Sequence, residues 1–110
     1  MDILFEDERF AKECSRSVLL QRRQGQLRAQ RIMQRLEDLA SARTLEVFRT
    51  LPGRCHELHG VRSGQFSLDL DHPYRLVFCP VGDDCKKPDG GLDWSRIVVV
   101  RVLGVIDTHE

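Results

Sequence analysis

The chain has 110 residues, of which 41% are hydrophobic and 31% charged, and its 17 basic and 17 acidic side chains give a formal net charge of zero. This length predicts one domain, residues 1–110, with a single core. No apolar run approaches the roughly 20 residues that cross a bilayer, and the acidic start, MDILFEDERF, does not resemble a signal peptide. We therefore expect a cytoplasmic protein with no membrane partner and with its four cysteines reduced.

The N-terminal half predicts a short strand followed by two helices. Residues 2–5 read as the strand, a helical pattern starts at about Asp7, and residues 24–26 (Gln-Gly-Gln) are a plausible break before the second helix. A short turn follows the second helix, and Thr44 is its expected cap. The apolar positions at helical spacing are Phe10, Cys14, Val18 and Leu19 in the first helix and Leu27, Ile32, Leu36 and Leu39 in the second.

Basic residues are concentrated in these predicted helices. Between Arg9 and Arg35 there are eight basic residues and one acid, Glu13. Such a face could meet a phosphate backbone or an acidic partner. A solvated helix surface explains the same pattern equally well.

The stretch from Leu51 to Phe78 predicts three short strands separated by turns at residues 60–64 and 71–73. In the middle strand Phe66, Leu68 and Leu70 alternate with polar residues, which is typical of a half-buried strand. Residues 81–94 form a polar loop, long enough to be mobile or functional. Residues 97–106 (IVVVRVLGVI) predict a strand covered on both faces, in which Arg101 needs a partner or an exposed edge.

The expected fold is therefore α+β, with the order β-α-α-β-β-β-β and a small twisted antiparallel sheet packed against two N-terminal helices. Several segments in this order also resemble a known family. They are Pro-Gly-Arg-Cys-His-Glu-Leu at 52–58, Gly-Gln-Phe-Ser at 64–67, Pro-Tyr-Arg-Leu-Val-Phe at 73–78, Gly-Gly-Leu-Asp-Trp-Ser at 90–95 and Val-Ile-Asp-Thr-His at 105–109. Together they resemble the RelE/ParE toxin superfamily, and among its members the HigB-like (killer protein) branch of type II toxin–antitoxin systems.

The resemblance implies a RelE-like fold, which agrees with the predicted elements, and a ribosome-dependent endoribonuclease that cuts mRNA and inhibits translation. It also implies several partners. These are a HigA-like antitoxin with a helix-turn-helix domain, the ribosome and its mRNA, and operator DNA reached through the antitoxin. No cofactor or metal is implied.

The resemblance places His56 on the family's histidine, Arg75 on its strand arginine, and Asp107 and His109 on its C-terminal acid and histidine. RNA cleavage without a metal needs a base, an acid and cations around the phosphate, roles that suit histidine and arginine. His56, His109, Arg75 and Asp107 are thus the candidate catalytic residues. The candidate RNA-binding residues are Arg62, His59 and Arg54.

Three departures from the family pattern support a second hypothesis. Thr108 stands where a tyrosine is expected, His59 where a lysine is common and Val61 where an aspartate is common. The base-stacking aromatic and one fixed positive charge are therefore missing. A toxin-fold protein that has lost cleavage, but still binds an antitoxin and takes part in promoter autoregulation, fits these departures.

Single residues bear on three further hypotheses. A gyrase poison of the ParE branch would lack the catalytic histidines, so His56 and His109 argue against it. Arg75 could pair with Asp69 or Asp71 across a hairpin instead of binding phosphate. Zinc is disfavoured, because the adjacent Cys55 and His56 point to opposite faces of a strand.

Overall fold

The computed structural model describes residues 1–108. None of its helices is long and apolar enough to span a membrane within that range. Three 3-10 turns, Leu45–Arg49, Gly60–Arg62 and Trp94–Arg96, connect the regular elements. The helices and strands are β1 (Asp2–Phe5), α1 (Glu8–Cys14), α2 (Ser17–Gln24), α3 (Gln26–Ser41), β2 (His56–Glu57), β3 (Phe66–Asp69), β4 (Tyr74–Pro80) and β5 (Val99–Asp107).

The five strands form one sheet in the order β1-β5-β4-β3-β2. This confirms the α+β class, but the prediction of an antiparallel sheet was wrong at one edge. β1 pairs with β5 in parallel, from Asp2 opposite Val99 to Phe5 opposite Val102. The helices after β1 carry the chain away from it, and β1 is joined by the last strand instead of the next one. The sheet is therefore mixed.

One face of the sheet packs against the helices and carries the core. Phe66 and Leu68 of β3 share a buried cluster with Ile32 and Leu39 of α3, as the predicted alternation requires. Val77 of β4 is also fully buried but lies outside that cluster. Its side chain is on the opposite side of the sheet, which we call the open face. The open face is the side that carries His56, Ser67, Asp69, Arg75 and Val77.

The prediction of one helix from Asp7 to the break at 24–26 was wrong, because two helices occupy this span. Ser15 ends α1, since its hydroxyl donates a hydrogen bond to the Lys12 carbonyl at 2.7 Å and competes with the helix backbone. Arg16 is extended, with φ of −139°. The break changes which face of α2 points to the core. Leu20 is buried, whereas Val18, one of the predicted apolar positions, is 56% exposed.

The predicted break before α3 is confirmed at Gly25, whose φ of +83° favours glycine. The burial of Ile32 and Leu39 is confirmed as well, whereas Leu27 is 53% exposed. Thr44 precedes the 3-10 turn as predicted, but its side chain makes no capping hydrogen bond.

The last strand, β5, has fully buried side chains on one of its two faces only. Val100 and Val102 are buried, while the residues that alternate with them are only half-buried, so the prediction of full cover on both faces was wrong. The polar loop 81–94 has structure of its own. Cys85 is buried at its start, and the amide of Lys87 donates to the Gly91 carbonyl at 2.6 Å.

Candidate functional site

The strand register brings His56 and Arg75 to the same face of the sheet. His56 lies opposite Ser67, Ser67 lies opposite Val77, and two residues further along β3 Asp69 lies opposite Arg75. Residues directly opposite one another in an antiparallel pair share a face, as do residues two apart along one strand. The open face therefore carries both an exposed imidazole, on β2, and a half-buried guanidinium, on β4, with Ser67 of β3 between them.

Arg75 is held by two neighbours on β3. Its Nη1 donates a hydrogen bond to Ser67 Oγ at 3.3 Å, and its Nε lies 3.2 Å from Asp69 Oδ1. The Arg75 and Asp69 side chains are 26% and 27% exposed, so this ion pair is only partly screened by water. Of the two acids considered as partners for Arg75, the structure selects Asp69.

A second arginine reaches the same carboxylate from the turn before β2. Arg54 Nε lies 3.6 Å from Asp69 Oδ2, and its side chain is 70% exposed. Arg54 has a φ of +50°, an uncommon conformation for a residue with a Cβ. The amide of Asp69 donates to the Gly53 carbonyl at 2.7 Å, which fixes this turn beside β3. The result is a triad, Arg54–Asp69–Arg75, in which one acid lies between two cations.

Only part of this triad could be predicted from the sequence. The predicted hairpin left two possible partners for Arg75, Asp69 and Asp71, and did not choose between them. Arg54 is separated from Asp69 by 14 intervening residues, and nothing in its local pattern indicates that the turn after Pro52 folds back onto the end of β3.

His59 and Arg62 lie away from this cluster. The 3-10 turn Gly60–Arg62 joins β2 to the Phe66 end of β3, whereas Asp69 and Arg75 are at the other end. Arg62 Nη1 donates to Gln65 Oε1 at 3.0 Å, so this arginine stabilises its own turn. His59 is exposed at the start of that turn.

The C-terminal segment reaches the same hairpin. Asp107 is exposed and lies opposite Tyr74, one residue along β4 from Arg75, so its Cβ is on the other face of the sheet. Both the amide and the hydroxyl of Thr108 donate to the Pro73 carbonyl, at 3.0 and 2.7 Å. This ties the segment to the turn between β3 and β4. The predicted catalytic His109 lies outside the described residues.

A residue of α3 also contacts the turn between β3 and β4. Arg28 binds Asp71 with two hydrogen bonds, at 2.9 and 3.1 Å, and its guanidinium carbon lies 3.5 Å from the centre of the Tyr74 ring. Burial acts to raise the pKa of Asp71. The hydrogen bond from Arg28, a backbone hydrogen bond and the positive charges of Arg28 and Arg31 together outweigh burial and hold that pKa below its usual value. Asp71 therefore stays ionised beside Arg28.

The cysteines are poorly suited to nucleophilic or metal chemistry. Burial raises the pKa of both Cys14 and Cys55 to about 12, so neither thiol ionises near neutral pH. All four cysteines are free thiols. Across residues 1–108, no three His, Cys, Asp or Glu side chains are grouped so as to hold a metal ion.

The fold that these elements define is an α+β domain, with three N-terminal helices on one face of a mixed five-stranded sheet. One solved structure with this fold is a YoeB/ParE toxin from Agrobacterium tumefaciens, which superposes with a TM-score of 0.54 over 99% of this chain and 100% of the other. The two chains are 14% identical, so the likeness concerns the fold. No protein-family model and no curated protein matches this chain by sequence.

Proposed function

We propose that this protein is the toxin of a type II toxin–antitoxin system, in the HigB-like branch of the RelE/ParE superfamily, and that it cleaves mRNA on the ribosome to inhibit translation. The observation that supports the proposal is that His56 and Arg75 share the open face, in a fold similar to that of a solved YoeB/ParE toxin. An imidazole and a guanidinium are two of the groups that phosphodiester cleavage without a metal requires.

The proposed reaction is attack of an RNA 2′-hydroxyl on the adjacent phosphorus. One histidine accepts the hydroxyl proton, the other protonates the departing 5′ oxygen, and the P–O5′ bond breaks as the new P–O2′ bond forms. His56 and His109 are the acid–base pair, and Arg75 stabilises the charge that develops on the phosphate. Asp107, two residues before His109, is the proposed carboxylate that orients this histidine.

Further RNA contacts come from the edges of the site. Arg54 is the exposed cation nearest the cluster and would bind a neighbouring phosphate. Arg62 and His59, at the far end of β3, would contact the chain several nucleotides away. These contacts supply affinity, while the cluster on the open face supplies the chemistry.

The proposed partner in the cytoplasm is a HigA-like antitoxin that covers the N-terminal helices and the sheet edge, and through which the toxin acts at operator DNA. An apolar groove of about 420 Å³ between α1, α3 and β1 supports this. Its lining includes Ile3, Phe5, Met33 and Leu36. An amphipathic segment could place its apolar side chains there. Protection mapping of the complex that spares this groove and the sheet edge would contradict the assignment.

Induced expression in a bacterial host tests the proposal, with mRNA 5′ ends mapped for the intact protein and for His56→Ala and His109→Ala. We expect growth arrest with new in-frame cuts, and loss of both in each variant. Asp83→Ala is the control, because Asp83 is exposed in the loop after β4, away from the candidate site, and has no assigned role. Arrest that survives both substitutions would place the chemistry elsewhere.

The second candidate function, a binding module without cleavage, is favoured by two observations. The cation proposed to bind phosphate is already paired with Asp69, and Thr108 replaces the stacking aromatic. Tight complex formation with an antitoxin, together with no arrest and no cuts, would select this function.

A further inference from the structure

We propose that Asp69 is an internal competitor of the RNA phosphate. Its carboxylate neutralises Arg75 and Arg54 in the free protein and must release Arg75 before a phosphate can bind. This inference rests on the proposed function, because it concerns the same cations, but it makes a claim about binding that does not depend on cleavage.

The geometry places the carboxylate where a phosphate would have to bind. Asp69 lies between the two arginines, with Oδ1 3.2 Å from Arg75 Nε and Oδ2 3.6 Å from Arg54 Nε. Arginine presents its donors in a planar fork that binds carboxylate and phosphate in the same way. An incoming phosphate oxygen and Asp69 therefore compete for the positive charge of the same two guanidinium groups.

The ion pair is close but poorly aligned, which makes it displaceable. Asp69 Oδ1 is buried and accepts no hydrogen bond from any described residue, although Arg75 Nε is only 3.2 Å away. The contact is thus Coulombic, without the directional part of a hydrogen bond. The Ser67 hydroxyl accepts a hydrogen bond from Arg75 Nη1. The guanidinium would therefore keep its position after its ion pair with Asp69 has broken.

The other acid–arginine pair of the hairpin shows the contrast. Arg28 and Asp71 are joined by two aligned hydrogen bonds, at 2.9 and 3.1 Å, and Arg28 also stacks on Tyr74. That pair is a structural latch between α3 and the turn. Two acids only two residues apart therefore have different roles, Asp71 in stability and Asp69 in control of the open face.

Asp69 reduces the net positive charge of the site below that of its two arginines. With Asp69 ionised, the triad carries two positive charges and one negative charge, and removal of the Asp69 charge leaves the two positive charges alone. Each phosphate neutralised on a single strand contributes about 0.7 to the slope of log affinity against log salt. A freed Arg75 should raise that slope by about this amount.

The test is binding of a 2′-deoxy-substituted RNA, which lacks the attacking hydroxyl, to the full chain at several salt concentrations. Asp69→Asn should bind about tenfold more tightly at low salt, since the charge of Arg75 is then no longer neutralised and is available to the phosphate. Its salt slope should be steeper by about 0.7. Adding Arg75→Ala to Asp69→Asn should remove the gain.

Asp83→Asn is the control for net charge. It changes the total by the same amount, and it lies in the exposed loop beyond the other end of β4. Asp69→Ser is a second variant, for use if the asparagine variant is unstable. Both variants are checked for an unchanged near-ultraviolet spectrum before binding is measured.

Unchanged or weaker binding by both Asp69 variants would overturn the inference, and would mean that Asp69 positions Arg75 productively. Failure of the chain and of Asp69→Asn to bind the oligonucleotide even at low salt would also overturn it. Tighter binding by Asp69→Asn in a protein that cuts no mRNA would uphold the competitor and reject the ribonuclease. The two proposals can therefore fail separately.

Discussion

Arg75 is the residue whose function depends most on its immediate neighbours. Alone it is a permanent cation suited to phosphate, but here Ser67 fixes its orientation and Asp69 neutralises its charge. The same side chain would be a strong phosphate ligand without Asp69 and a purely structural ion pair without access to solvent. Its partial exposure leaves it available to a substrate that can displace the acid.

The thiols show a pKa shift in which burial is the largest cause, with smaller effects of Glu13 on Cys14 and of Arg49 on Cys55. Burial raises the pKa of Cys14 and Cys55 to about 12, against an ordinary value of 9.0. The neutral thiol is favoured in the folded protein because a thiolate would lose its hydration there. These cysteines therefore behave as small apolar residues.

Alkaline pH should consequently destabilise the protein through these two thiols. Above pH 9 the unfolded chain releases their protons while the folded chain keeps them until about pH 12, so the free energy of unfolding falls as pH rises. Each thiol contributes about 1.4 kcal/mol per pH unit in that window. Urea unfolding from pH 7 to 11 should show a steeper decline for the intact protein than for a Cys14→Ala/Cys55→Ala variant. Parallel curves would contradict the assignment.

At the scale of elements, α3 holds the hairpin that carries the candidate site. Arg28 binds the turn through Asp71 and Tyr74. About two helical turns further along α3, Arg35 Nε donates a hydrogen bond to the Asp69 carbonyl at 2.8 Å. Both arginines come from the stretch that reads as a basic helix face. Part of that basic pattern is therefore structural, and only the exposed remainder is available to a nucleic acid or an acidic partner.

Replacing Arg28 by alanine should loosen this attachment. We expect Arg28→Ala to lower the free energy of unfolding by about 2 kcal/mol, since it removes two charge-assisted hydrogen bonds and a contact with the Tyr74 ring. Arg31→Ala, an exposed position on the same helix, should change stability by less than about 0.5 kcal/mol.

The Arg28 effect should depend on acid pH in a defined direction. The pKa of Asp71 is lowered in the folded protein, so the ion pair stabilises it fully above the ordinary value of 3.8 and less as pH falls through the lower folded value. Denaturation at pH 7 and in strong acid measures this. A stability difference between Arg28→Ala and the intact protein that is equal at both pH values would show that the ion pair contributes nothing.

At the scale of the whole molecule, the long loop and the sheet share one core. Trp94 at the end of the loop packs edge-on against Phe66, with ring centres 5.2 Å apart, and the guanidinium carbon of Arg49 lies 4.0 Å from the centre of the Trp94 ring. Phe66 in turn stacks on Phe78 of β4, at 5.6 Å. The loop is therefore part of the folded unit and not an appendage to it.

Unfolding should accordingly be a single transition. The chain has one tryptophan, so fluorescence reports the environment of Trp94 alone while circular dichroism reports the helices and strands. We expect the two signals to give the same denaturation midpoint. Phe66→Ala should lower that midpoint in both signals, because it leaves a cavity worth about 3–5 kcal/mol. An earlier transition in fluorescence would show that the loop unfolds by itself.

The sequence by itself determined the class of fold and the strands that carry the site. The alternation in Phe66–Leu70, the turns at 60–64 and 71–73, and the break at Gly25 are local signals, because they depend on residues next to one another in the chain. Placing His56 and Arg75 on one face follows from those strands once they pair as hairpins.

Only the tertiary structure decided the rest. The parallel pairing of β1 with β5, the break at Ser15, and the meeting of Arg54 with Asp69 and Arg75 all depend on contacts between distant segments or on which helix face the core accepts. A local pattern gives the same signal whether the strand beside it is parallel or antiparallel, and it does not show which acid a guanidinium will meet. The physical reason is that burial and charge pairing are decided where separate elements pack, and that packing has no local signature.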